Sequence, residues 1–213
     1  MAVSDKPPVI RLELSLMDHA NSPFPEAVPQ REVPYPPDGK VDWLRKTPAH
    51  DEWAIGDENA DSLPSQLESL VASASAVSLT VPAIFRSFIN DNPLHKHLRS
   101  ANGDYLSVAE SVLPFEDGYL IRFLHDQQGC AFWYLYTNAD GSDHCVVSSY
   151  EYFDADDMDY ELDELKPSDF AYWSPSFEDF FCTYWIAHEM MFSRNDGTPA
   201  PDVDPRFHKL YAD

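Results

Sequence analysis

Tyr119-Leu120-Ile121-Arg122-Phe123-Leu124-His125, followed after a gap of four residues by Cys130-Ala131-Phe132-Trp133-Tyr134-Leu135-Tyr136, decides the fold. Each run is short, apolar and rich in aromatics, which reads as a strand. The second is apolar at successive positions, so it is covered on both faces and central. Gln128-Gly129 closes the turn between them. Cys145 to Phe153 forms a third strand, with Ser148 and Ser149 marking a wetter edge. Asp140-Gly141 is a type I′ hairpin signal. A two-residue turn there places Thr137 opposite His144 and Tyr136 opposite Cys145. Residues 104–153 therefore read as an antiparallel meander.

Helices flank this meander. Ser62 caps a first helix, with Pro64 in its first turn and Leu63, Leu67 and Leu70 on one face. Pro82 opens a second, striped by Ile84, Phe85, Phe88 and Ile89, and Asp91-Asn92-Pro93 ends it. Ser174 and Pro175 start a closing helix. Its stripe is Phe177, Phe181, Tyr184, His188 and Met191, flanked by Phe180, Trp185 and Phe192.

Upstream, eight of the 18 prolines fall within the first 37 residues. Proline fixes φ and removes a donor, so the segment from Phe24 to Asp38 is expected to be extended. Val9 to Leu16 alternates apolar and polar residues as one strand. Residues 1–60 form an arm, with Trp43 and Trp53 as candidate anchors. The tail from Gly197 to Asp213 is punctuated by proline and is expected to wrap the surface.

The chain of 213 residues is 44% apolar and 14% aromatic, sufficient for a packed core. Its 14 Lys and Arg stand against 37 Asp and Glu, a net charge of −23. Such a balance repels nucleic acid and anionic membranes and favours a basic partner, or simply a very soluble surface. No targeting or membrane-spanning segment is read, since Pro7, Pro8, Arg11 and Glu13 interrupt the N-terminal apolar stretch. Cys130, Cys145 and Cys182, an odd set without CxxC spacing, suit reduced thiols in a cytoplasm.

The strongest candidate site is acidic. Asp154, Asp156, Asp157, Asp159, Glu161, Asp163 and Glu164 place seven carboxylates in eleven residues, with no cation before Lys166. The run is a solvated loop or a docking surface for a basic protein. As a surface it would use Asp154, Asp156, Asp157, Asp159 and Glu161, with Tyr150, Tyr152 and Tyr160 as aromatic anchors. It does not fit a calcium loop: counted from Asp154, the fifth position is Met158 and no glycine follows.

Other motifs fail on spacing. His188-Glu189 begins like a zincin helix, but Phe192 stands where the second histidine belongs, so His188 reads as a core residue. His95 and His97 would splay apart on a helix. Cys130 and His125 flank one turn, without the glycine-rich loop or helix N-terminus that would build an oxyanion hole. No phosphate-cradling loop, metal site, cofactor site or catalytic residue is read.

Leu79-Thr80-Val81-Pro82-Ala83-Ile84-Phe85-Arg86-Ser87-Phe88-Ile89 resembles the opening helix of SMI1/KNR4-type domains of the SUKH superfamily. The paired strands at 117–136 resemble the central strands of bacterial members. Ser176-Phe177-Glu178-Asp179-Phe180 through Glu189 is similar to their closing helix. Asn90-Asp91-Asn92-Pro93 stands where many members carry a glycine-rich turn. The resemblance spans about residues 63–193. It implies an α+β fold, with an antiparallel or mixed sheet of about four to six strands backed by helices. The domain would occupy residues 61–195, between the arm (1–60) and the tail (196–213). The resemblance also implies a non-enzymatic immunity protein that neutralises a cognate toxin, often a nuclease. Its acidic face would steer association with a basic polypeptide. A scaffold or regulatory module, a nucleic-acid mimic, and an enzyme using Cys130 are the alternatives.

Overall fold

A computed structural model of the chain describes residues 32–35, 38–155 and 165–211. The strand expected at Val9–Leu16 lies outside them. Among the described residues the fold is α+β, with a six-stranded sheet and five helices. In chain order the helices and strands are α1 (Leu63–Ala76), α2 (Ala83–Ile89), α3 (Asn92–His95), β1 (Tyr105–Leu106), β2 (Leu113–Phe115), β3 (Gly118–His125), β4 (Phe132–Asn138), β5 (His144–Ser149), β6 (Ala171–Ser174), α4 (Phe177–Asp196) and α5 (Pro205–Leu210).

The sheet runs β1-β3-β4-β5-β6, every pair antiparallel, and β2 shares the outer edge of β3 with β1. Strand β4 is central and buried on both faces. Trp133 and Leu135 face a large core beneath the helices. Phe132, Tyr134 and Tyr136 face a smaller one that also holds Leu113, Phe115 and Phe170.

The β4–β5 register is the expected one, with Thr137 opposite His144 and Tyr136 opposite Cys145. The turn differs. The Gly141 N–H donates to the Asn138 carbonyl at 3.0 Å, so Ala139 and Asp140 are the central residues. Asp140 does not have the positive φ that type I′ requires; only Gly141 does, at +75°. A Cβ on Gly141 would lie 1.9 Å from the Thr80 carbonyl oxygen, so that backbone contact also demands glycine.

Strand β6 pairs along β5, so Ser149 is buried and Ser148 half-buried inside the sheet. Ser174 ends β6, and the cap of α4 is Ser176. Its hydroxyl accepts the Asp179 N–H at 3.0 Å and donates to the Asp179 carboxylate at 2.8 Å. Asp91-Asn92-Pro93 both stops α2 and starts α3, with the Asp91 side chain accepting the Leu94 N–H.

Helix α4 organises the larger core. Phe88 and Phe181 ring centroids are 4.4 Å apart, Phe85 and Phe177 5.2 Å, and Phe123 and Phe180 5.4 Å. Met190, not Met191, is the buried methionine of the final turns. The upstream segment joins this core through Trp43, which stacks on Tyr35 at 4.7 Å and meets Trp185 edge-on at 5.6 Å. Buried Glu178 accepts the Asp38 and Gly39 N–H groups at 2.7 and 2.9 Å, fastening the same segment to the start of α4. Trp53 does not anchor it; that side chain is 60% exposed. The tail adds Phe207 and Tyr211 to the core.

Candidate functional site

The acidic run leaves the sheet from a fixed root. After β5, the segment 150–155 turns back over the smaller core. Tyr134 of β4 holds it: the Phe153 N–H donates to the Tyr134 hydroxyl at 2.8 Å, and that hydroxyl donates to the Glu151 carbonyl at 3.3 Å. Phe153 and Phe170, which flank the run, have ring centroids 5.4 Å apart. Phe170 also packs on Phe115 and Tyr134, at 4.9 and 5.5 Å. Both ends of the segment that carries the carboxylates are therefore seated on one apolar floor.

The sequence reading did not single out Arg122, which is central to this root. An arginine inside an otherwise apolar strand must find a partner, because a lone buried charge is costly. Its guanidinium donates to Asp154 Oδ2 at 2.7 Å, to the Tyr152 hydroxyl at 3.1 Å, and to the Ser107 carbonyl and hydroxyl, both at 3.0 Å. It also lies 4.7 Å from the centre of the Tyr152 ring, a cation–π contact. The Tyr152 hydroxyl donates to Asp154 Oδ2 at 3.2 Å.

A bulge at Phe123 completes the group. Arg122 pairs with Tyr134, and Leu124 with the adjacent Trp133, so Phe123 is the extra residue. The shift brings His125 onto the face that Arg122 occupies, where Arg122 Nη1 donates to His125 Nε2. The imidazole proton then sits on Nδ1, 3.4 Å from the Tyr105 hydroxyl. Burial, reinforced by Arg122, lowers the His125 pKa to about 4.

Asp154 thus points inward, its charge satisfied by Arg122. Tyr150 and Tyr152 stand at the surface, 39% and 38% exposed. Asp156, Asp157, Asp159, Tyr160 and Glu161 lie outside the described residues.

The other motifs resolve into structural roles. His188 Nδ1 accepts the Ala101 N–H at 2.9 Å, and its ring lies tilted against that of Tyr184, centroids 4.0 Å apart. Burial lowers its pKa to about 4. Beside it, Asp104 accepts from the Ser100 and Tyr184 hydroxyls, both at 2.8 Å, while burial raises its pKa to about 6. Glu189 takes a bidentate bond from Arg99, 2.8 Å at each oxygen. His95 and His97 turn to different backbone carbonyls, those of Phe88 and Thr47. Cys130 is exposed with its thiol toward the Gln128 carbonyl, whereas His125 belongs to the Arg122 group.

None of the three cysteines is in a disulfide, and burial raises the Cys145 and Cys182 thiols to about 12. Among the described residues, no group of three His, Cys, Asp or Glu is placed to hold a metal ion. Among them also, no helix is long and apolar enough to cross a membrane.

No family model, curated protein or solved structure matches the chain.

Proposed function

We propose that this chain is a non-catalytic, cytoplasmic binding domain of SMI1/KNR4 type that neutralises a basic polypeptide such as a nuclease toxin. The observation that carries the reading is the seating of Asp154 on Arg122, at the start of the acidic run, in a chain of net charge −23. The excess negative charge raises the encounter rate with a cationic partner. Tyr150 and Tyr152 supply aromatic surface beside the run. The acidic run would occlude the cationic groove that a nuclease needs for nucleic acid.

The test is retention of proteins from the source cell on the immobilised chain, with and without Asp156→Lys, Asp157→Lys and Asp159→Lys. The proposal expects one strongly basic protein, retained at low salt and lost in the triple variant. Retention of many unrelated DNA-binding proteins, each displaced by duplex DNA, would instead support nucleic-acid mimicry.

A further inference from the structure

Trp53 stands at the surface in a conformation that its own side chain disfavours. Its φ is +66°, in the left-handed region that glycine occupies freely and a bulky residue does not. The neighbouring backbone enforces it. The Trp53 carbonyl accepts the Ser100 N–H at 2.9 Å, Ala54 bridges Arg99, and the Ile55 N–H donates to the Leu98 carbonyl at 3.0 Å. Ile55 is fully buried, which fixes the segment to the domain. The indole gains nothing in return. At 60% exposure it is the most exposed large apolar side chain among the described residues, and it belongs to neither core. A side chain that costs backbone strain and adds no burial to the fold is explained by something that covers it.

The same segment walls a cavity. Between residues 49–60 and α3 lies a space of about 300 Å³, with Ala49, Ala60 and Pro93 as apolar walls. Its buried polar atoms are out of reach of an occupant. Gly56 packs against the His95 ring, where a Cβ would lie 2.5 Å from Nδ1, and Asn92 Oδ1 is likewise inaccessible. An occupant therefore meets apolar surface, with Asp57 and Lys96 as the charged residues of the lining.

Charge selects the occupant. Asp51, Glu52, Asp57, Glu58 and Asp61 are all exposed on the segment that carries Trp53, and no Lys or Arg stands between Lys46 and Arg86. Lys96, 3.7 Å from Asp51, offsets one of these carboxylates.

We propose that the segment 49–61, with Trp53 as its anchor and the cavity as its socket, docks a basic stretch of a partner polypeptide in which an apolar side chain is flanked by cationic ones. The apolar side chain fills the cavity. A cation stacks on the indole, the strongest of the aromatic partners, and the carboxylates meet the remaining charge. Which protein supplies the stretch rests on the function proposed above; the chemistry of the face does not. Ile55 and Leu98 belong to the larger core, whereas Phe153 packs on the smaller one, so this face and the acidic run lie on opposite sides of the sheet.

The test maps amide and indole chemical shifts of the full chain titrated with the peptide acetyl-Arg-Leu-Arg-amide. Acetyl-Arg-Ser-Arg-amide and acetyl-Glu-Leu-Glu-amide are titrated in parallel. Saturable shifts at the Trp53 indole and in residues 49–61 and 92–96 are expected, with about fivefold weaker binding of the serine peptide and none of the acidic one. Trp53→Gly separates docking from a structural role. Glycine relieves the positive φ, so this variant should melt no lower than wild type while binding the first peptide about tenfold more weakly. A flat titration, equal binding of either control peptide, undiminished binding to Trp53→Gly, or a marked loss of stability in that variant overturns the proposal. The function proposed above fails separately. If no basic protein is retained from the source cell, that reading falls and the titration still decides this face. A flat titration beside intact retention removes this face alone.

Discussion

The Arg122 guanidinium meets the Asp154 carboxylate at 2.7 Å and so ties a core strand to the first residue of the acidic run. Both side chains are nearly inaccessible, at 6% and 11% exposure. Removing one partner of such a pair strands the other charge. Arg122→Met should therefore lower unfolding free energy by about 3–5 kcal/mol in urea, and adding Asp154→Leu should recover much of the loss. An additive double mutant would show that the two side chains are not coupled.

Asp104 gives a pH signature. Its pKa rises from 3.8 to about 6 on folding, through burial. Between those values the folded state holds a proton that the unfolded state has released. Asp104 thus contributes stability below about pH 4 and loses it as pH rises through 6. His188 and His125 act oppositely, each with a folded pKa near 4 against 6.5. Their contribution is present above the unfolded value and is lost as pH falls toward 4. Wild type should accordingly gain up to about 3 kcal/mol relative to Asp104→Asn as pH falls from neutral to about 4. A constant difference between the two chemical denaturation profiles would contradict the shift.

Gly141→Ala tests the close approach of the β4–β5 turn to Thr80. It forces a Cβ against a carbonyl at positive φ, which should cost about 1–3 kcal/mol. Gly129→Ala, where φ is +68° but nothing lies within 4 Å of the added Cβ, is the control. It should cost about 1 kcal/mol. Equal urea midpoints would mean that the Thr80 contact has no effect.

The paired central strands were legible because apolar runs bounded by turn residues leave little choice, and because β4 is buried on both sides. The β4–β5 register followed from the turn position even though the turn type did not. An Asp-Gly pair suits the third and fourth positions of an ordinary turn as well as the centre of a type I′ turn, so Asp140-Gly141 marked the turn but not its type. Strand β6 was missed because four residues abutting a helix cap show almost no periodicity, and Ser174 and Ser176 are equally good caps in isolation. Trp53 looked like an anchor by size alone. Arg122 was detectable as a lone charge within β3, but its alignment with His125 depends on a bulge that no local pattern announces. The Gly56–His95 cavity depends on contacts distant in sequence.

Phe181 sits where α2, α4 and the sheet converge, against Phe88 at 4.4 Å and Phe177 at 4.9 Å. Phe181→Ala should lower stability by about 3–5 kcal/mol. A wild-type melting temperature would remove α4 from the core.

The most direct test of the account is the association rate of the basic protein retained from the source cell, measured by stopped flow at low and high salt. For wild type the rate should fall steeply with salt. The triple reversal of Asp156, Asp157 and Asp159 to Lys should be slower by about tenfold or more at low salt, and should converge with wild type at high salt. Equal rates for the two proteins at low salt would contradict the acidic run as the docking surface.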